Sequence, residues 1–212
     1  MRTGFYIDGF NLYHAIDALG DNELKWLNLK SLAQSYLREE DVEVKTAYFT
    51  AINSWDATKR ARHVAYVAAL EAFGVTVQKS NFDKVSKFCH RHNRFCPMRE
   101  EKQTDVALGV TMLADCYQLG LERVVLMTAD SDQIPSVKAI KSAFPGTILY
   151  LVAPPKRLSV ARQLGGVCDG VAELTASRIR EHLLPEVIKD GRGRLIAQRP
   201  ALYGGVTQAS IC

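Results

Sequence analysis

The sequence predicts a three-layer α/β fold, with a mostly parallel central sheet of strand order 3-2-1-4-5 between two layers of helices. Two patterns predict it. Apolar strand-like runs alternate with segments of helical period, and the strands show little polar alternation, as parallel strands covered on both faces require. Size agrees: 212 residues, 47% hydrophobic and 24% charged, can bury one sizeable core and leave a short appendage.

The elements follow in order. "TGFYID" over 3–8 is the first strand, "VEVKTAYFTA" over 42–51 the second and "VTVQK" over 75–79 the third, with helices at about 28–39 and 56–73 between them. The rhythm resumes with a helix over 104–119, the strand "RVVLMTA" over 123–129, a helix over 133–143 and the strand "TILYLVA" over 147–153. A short helix over 157–164 and "GVAEL" over 170–174 complete it. If the first half winds outward from the first strand and the second half restarts beside it, the order 3-2-1-4-5 results. Two pieces break the pattern: a basic insertion over 80–102, expected as a loop, and a tail over 185–212 with "KDGRGR", expected to be loosely ordered. One domain over 1–184 is therefore expected.

Several functional classes are disfavoured. Asp8 and Asn11 interrupt the N-terminal apolar stretch before a signal-peptide core can form, and the longest uncharged run, 142–155, contains Pro145 and Gly146 and is too short to span a bilayer. A cytoplasmic protein without membrane contact is expected. Cys89, Cys96, Cys116, Cys168 and Cys212 form an odd, scattered set and are expected to be thiols. Neither a G-x-G-x-x-G after the first strand nor a G-x-x-x-x-G-K-[ST] occurs, which disfavours dinucleotide and P-loop chemistry. The formal net charge is +4, and the stretch 79–102 accounts for it: Lys79, Lys84, Lys87, Arg91, Arg94, Arg99 and Lys102 stand against Asp83, Glu100 and Glu101.

In an open parallel sheet, ligands bind beyond the carboxyl ends of the strands, so polar residues there are the ones to collect. The first strand ends in Asp8, with Asn11 on the turn that follows, and the 123–129 strand runs into Asp130-Ser131-Asp132. The assumed strand order sets Asp8 and Asp130 side by side. Asp105, in "EEKQTDVALGV", lies in the first turn of the helix before that strand. Such a helix is expected to begin at the opposite edge of the sheet, so the insertion must first carry the chain back across the carboxyl-end face. Clustered carboxylates repel one another and are costly to desolvate without a cation. Oxygen-only ligation suits Mg²⁺ or Mn²⁺, and the chemistry that follows is metal-assisted phosphodiester hydrolysis, with no side-chain nucleophile needed. Structural roles compete: Asp132 or Ser131 can cap the next helix, and Asp105 can complement a helix dipole. Acids and Asn11 gathered at two strand ends favour a shared site.

"FYIDGFNLYHA", "EKQTDVALGVTMLADC" and "VVLMTADSDQIPSV", in that order, resemble the NYN domains, a branch of the PIN-like nucleases, over about 5–174. The resemblance implies a PIN-like α/β/α fold and a divalent-metal ribonuclease site. Asp8, Asp105 and Asp130 match the family's metal-binding acids, Asn11 its asparagine after the first strand, and Asp132 the second acid of its Asp-Ser-Asp motif. It also implies that Asp105 is presented toward the same pocket. Ala129 stands where members often carry Gly, and Gln133 where an apolar residue is more usual. RNA is the implied partner and Mg²⁺ or Mn²⁺ the implied cofactor; a homo-oligomer is left open. The contrasting reading is a catalytically silent RNA-binding or regulatory module that retains the fold.

The insertion raises a second metal question. Cys89, His90, His92 and Cys96 offer four zinc ligands within eight residues, but their spacing matches no standard finger. A loop whose Lys87, Arg91, Arg94 and Lys102 meet RNA phosphates, and whose Phe88 and Phe95 stack on bases, is favoured over structural Zn²⁺. A solvated loop is the plainer alternative. His14 can reach the pocket as a proton donor but is expected at the surface or packed on the next helix. Lys59, Arg60 and Arg62 are expected on a solvated helix face.

Overall fold

The computed structural model describes residues 1–52, 55–89 and 93–204. Runs rich in Val, Ile, Leu and Tyr form strands, and Asp or Asn side chains open several of the helices. In chain order the elements are β1 (Arg2–Asp8), α1 (Gly9–Asp17), α2 (Leu29–Gln34), β2 (Val42–Ala51), α3 (Ala57–Ala72), β3 (Thr76–Cys89), β4 (Arg94–Lys102) and α4 (Thr104–Leu119). There follow β5 (Arg123–Met127), α5 (Ile134–Ala143), β6 (Ile148–Ala153), α6 (Arg162–Gly165), β7 (Gly170–Glu173), α7 (Ala176–Arg180), β8 (Val187–Lys189) and β9 (Leu195–Gln198).

Among the described residues the main sheet has the order β4-β3-β2-β1-β5-β6-β7. All neighbours pair in parallel except β3 and β4, which are antiparallel. The predicted 3-2-1-4-5 order is the central part of this sheet, extended by β7 at one edge and β4 at the other. Both faces are covered. Phe5, Ile7, Tyr48, Val125 and Met127 pack with Leu12, Leu32 and Leu70 from α1, α2 and α3, while Tyr6, Phe49, Val124 and Leu126 pack with Leu108 and Met112 of α4 and Val137 and Ile140 of α5.

Five expectations are corrected. The "DGFN" stretch is helical from Gly9, because Asp8 caps α1 by accepting from the Asn11 N–H at 3.0 Å. The helix expected over 28–39 stops at Gln34, where the Asp41 carboxylate accepts from the Arg38 N–H at 2.9 Å and turns the chain into β2. The insertion is a hairpin: β3 pairs with β2 over 76–80, then continues past the sheet and pairs with β4 over 81–89. β4 ends at Lys102 opposite Asn81, so the chain returns to the carboxyl edge it left, and α4 starts there. No crossing of that face is needed, since a helix joining parallel strands runs antiparallel to them and begins at their carboxyl ends. Finally, the described part of the tail, 185–204, is ordered. β8 and β9 form a hairpin that buries Ile188 and Ala197, and a turn over Ala201–Tyr203 buries Tyr203.

Candidate functional site

β1 and β5 are neighbours in the sheet, with Ile7 opposite Met127, so the residues that follow them meet at one edge. Asp8 is 5% exposed. Its Oδ2 accepts from the Thr128 hydroxyl at 2.8 Å and its Oδ1 from the Asn11 N–H at 3.0 Å. Thr128 Oγ1 in turn accepts from the Asp130 N–H at 3.1 Å, and Asn11 Oδ1 accepts from the Ala129 N–H at 2.9 Å. These bonds lock the start of α1 to the end of β5. Hydrogen bonds of this kind offset the cost of burying a carboxylate. Gly9 is required for the close approach: a Cβ there would lie 2.5 Å from the Phe49 carbonyl oxygen and 2.6 Å from the Tyr48 ring.

Asp130 does what was expected of Ser131 or Asp132. It caps the 3-10 turn Ser131–Gln133, with Oδ1 accepting from the Asp132 N–H at 2.9 Å. Asp105 arrives from α4, whose N-terminus follows Gln103 in the left-handed conformation at φ 79°. Buried Gln133 ties that helix start to the β5 end, its Nε2 donating to the Asp105 carbonyl at 3.0 Å. The unusual amide at this position is thus a tether between the two acid-bearing segments.

A cleft of about 330 Å³ lies over these groups. Asp8, Asn11, Asp105 and Asp130 line it together with Phe10, His14, Ala129, Arg157 and Val160. Asp132 does not; it is exposed in the turn. Ala129 keeps a negative φ, so its methyl group fits without strain. Sequence reasoning missed Thr128, which reads as an ordinary strand residue, and Arg157. The signal for Arg157 was "PKR" directly after the 147–153 strand, at the same carboxyl edge.

Among the described residues no three acidic, histidine or cysteine side chains close into a cage able to hold a metal by themselves. The cleft presents carboxylate and amide oxygens from three chain segments. Such donors suit Mg²⁺ or Mn²⁺, which keep several waters and accept phosphate oxygens as further ligands.

The insertion contributes separately. Arg94 and Lys102 are exposed on β4, and Phe88 and Phe95 face each other across the hairpin with ring centroids 5.5 Å apart. Cys89 and Cys96 form no disulfide and lie diagonally across the same face of the hairpin. His90, Arg91, His92 and the Lys87 side chain lie outside the described residues. Among those described, no helix is long and apolar enough to cross a membrane.

A protein of unknown function from Vibrio parahaemolyticus has a similar structure, with a TM-score of 0.59 at 17% identity over 86% of this chain and 96% of that one. A hypothetical protein from Neisseria gonorrhoeae, solved with bound ppGpp, gives a TM-score of 0.22 at 10% identity over 72% of this chain and 71% of that one, too distant to inform the site. No curated protein matches the sequence. The NYN domain family model matches residues 2–174, spanning both acid-bearing strand ends, the insertion and α4. The chain therefore belongs to the NYN domain family, within the PIN-like nuclease superfamily.

Proposed function

We propose that the chain hydrolyses RNA phosphodiester bonds in a divalent-metal-dependent reaction at the cleft of Asp8, Asp105 and Asp130. The supporting observation is that three carboxylates, from the ends of two neighbouring strands and the start of a helix, line a single cleft in a chain of PIN-like fold. A Mg²⁺ or Mn²⁺ ion bound there would supply a water of lowered pKa and neutralise charge developing at the phosphate. The chain's own part is positional and electrostatic. Asp8, Asp105 and Asp130 hold the ion, and Asn11 and Thr128 fix the orientation of the Asp8 carboxylate. Arg157, which pairs with no carboxylate among the described residues, meets a non-bridging oxygen of the scissile phosphate. Arg94 and Lys102 on β4 contact flanking phosphates.

Incubation with single-stranded and structured RNAs tests this. Cutting is expected with Mn²⁺ or Mg²⁺ and is lost with chelator. Asp130→Asn abolishes cutting while the fold survives, because Asn caps a helical turn about as well as Asp. An Asp130→Asn protein that cuts at the wild-type rate overturns the assignment. RNA that binds but stays intact in both metals favours the silent RNA-binding module instead.

A further inference from the structure

Beside the acidic cleft lies a second cavity, of about 290 Å³, between α1, α3 and the carboxyl end of β2. The two adjoin, for Phe10 and His14 line both. Their chemistry is opposite. Among the described residues no Asp or Glu lines the second cavity, whereas Lys25, Lys59 and Arg62 do.

Aromatic rings make up much of its wall. From the shared rim they form a connected series: His14 to Phe10 at 5.9 Å, Phe10 to Phe82 at 5.5 Å and Phe82 to Trp55 at 4.9 Å between ring centroids. The last two contacts are edge-to-face. Trp55 is 45% exposed and Tyr13 41%, and both line this one cavity.

The cations are not equivalent. Lys25 is held by Asp17 and Asn22 and spends its charge within the protein. Lys59 has a loose contact with Asp56 at 3.9 Å and lies near enough to Asp17 to help hold its carboxylate charged. Arg62 meets the Tyr203 hydroxyl and pairs with no carboxylate among the described residues. Flat apolar walls with positive charge at one side fit a planar aromatic group that carries an anion.

We propose that this cavity receives one unstacked base of single-stranded RNA, next in the strand to the phosphate in the acidic cleft, with Arg62 and Lys59 taking the adjoining phosphate. The inference rests on the reading of the chain as an RNA-cleaving domain, and it adds the substrate class. A base must leave its stack to enter, and single strands allow this while a duplex holds its bases paired. An apolar side chain of a protein partner fits the same walls but needs neither cation.

Binding in chelator, where nothing is cut, tests the cavity apart from catalysis. The chain has two tryptophans. Trp26 is fully buried, at 0% exposure, so quenching of tryptophan fluorescence by RNA reports on Trp55. A short single-stranded RNA is expected to quench it, and Trp55→Ala to weaken affinity roughly 5- to 150-fold, the range for losing one base stack. Arg62→Gln should reduce the log–log salt slope by about 0.7. The matching duplex and an abasic strand should bind wild type and Trp55→Ala alike. Unquenched fluorescence at saturating RNA, equal quenching by the abasic strand, or affinity unchanged in both variants overturns the proposal. Cleavage is scored separately with Mn²⁺: cutting without quenching removes the cavity alone, and Trp55-dependent binding without cutting removes the nuclease reading while the cavity stands.

Discussion

Thr128 holds the two strand-end acids in register through a single oxygen, donating to Asp8 and accepting from the Asp130 N–H. Thr128→Val keeps the shape and deletes both bonds, taking one partner from the buried Asp8 carboxylate and one from the Asp130 N–H. A loss of about 1–3 kcal/mol in denaturant unfolding is expected, with cleavage falling further than stability accounts for. Thr128→Ser keeps the hydroxyl and should restore both; a sound Thr128→Val beside a defective Thr128→Ser would mean that the Thr methyl matters and the hydroxyl does not. His63 gives a pH dependence. Burial depresses its pKa below the usual histidine value, and its Nε2 lies 3.0 Å from the Thr50 hydroxyl. The unfolded chain therefore takes up the proton first, near pH 6.5, and stability falls as pH drops from there to the folded value, then levels. His182, also depressed chiefly by burial, adds to the same slope. Melting His63→Gln beside wild type between pH 7.5 and 5.5 should give a shallower decline; parallel curves would exclude His63 as a source.

At the scale of elements, the cleft depends on how closely α4 approaches α5, because α4 carries Asp105 and α5 follows directly from the Asp130 turn. Gly109 permits that approach: a Cβ there would lie 2.2 Å from Ser136 Oγ and 3.0 Å from its Cβ. Gly109→Ala should cost about 1–3 kcal/mol by overpacking and shift Asp105 away from the other acids. Adding Ser136→Gly should recover most of the loss, and a double variant as weak as the single one would locate the strain elsewhere. Elements differed in how far the sequence revealed them. The parallel strands were legible because burial on both faces leaves long apolar runs, and their order brought Asp8 and Asp130 together before any coordinates. The β3–β4 hairpin was not, since its pairing comes from the exposed edge of the sheet and not from an apolar pattern in "DKVSKF". α1 was hidden by Gly9 and Asn11, which read as turn residues until Asp8 is seen as the cap. Thr128 and Gln133 were illegible as site residues because their bonds exist only across segments distant in sequence, whereas Arg157 was signalled by its place just after a strand end.

For the molecule as a whole, the segment beyond residue 184 belongs to the core in a way its composition concealed. "KDGRGR" is the turn of the β8–β9 hairpin, with the Asp190 side chain accepting from the Arg192 and Arg194 N–H groups. The flanking residues reach far across the chain. The Trp26 Nε1–H donates to the Pro185 carbonyl at 2.9 Å, and Arg199 pairs with Glu23 at 3.0 Å. Ile188, Ala197 and Tyr203 are buried among α3 and the N-terminal elements, and Tyr203 also walls the aromatic cavity. Truncation after Leu184 should therefore act on the fold and on RNA binding together. Exposing one Ile, one Tyr and one Ala, and uncovering what they cover, corresponds to about 3–5 kcal/mol, a large share of the ~5–15 kcal/mol that holds a typical domain. Thermal unfolding of the truncated chain should show a strong drop in midpoint. Tyr203→Ala in the full chain separates the two effects: a smaller stability loss, but weaker binding of single-stranded RNA. A truncated chain that melts with wild-type cooperativity and midpoint would show that the hairpin merely rests on the domain.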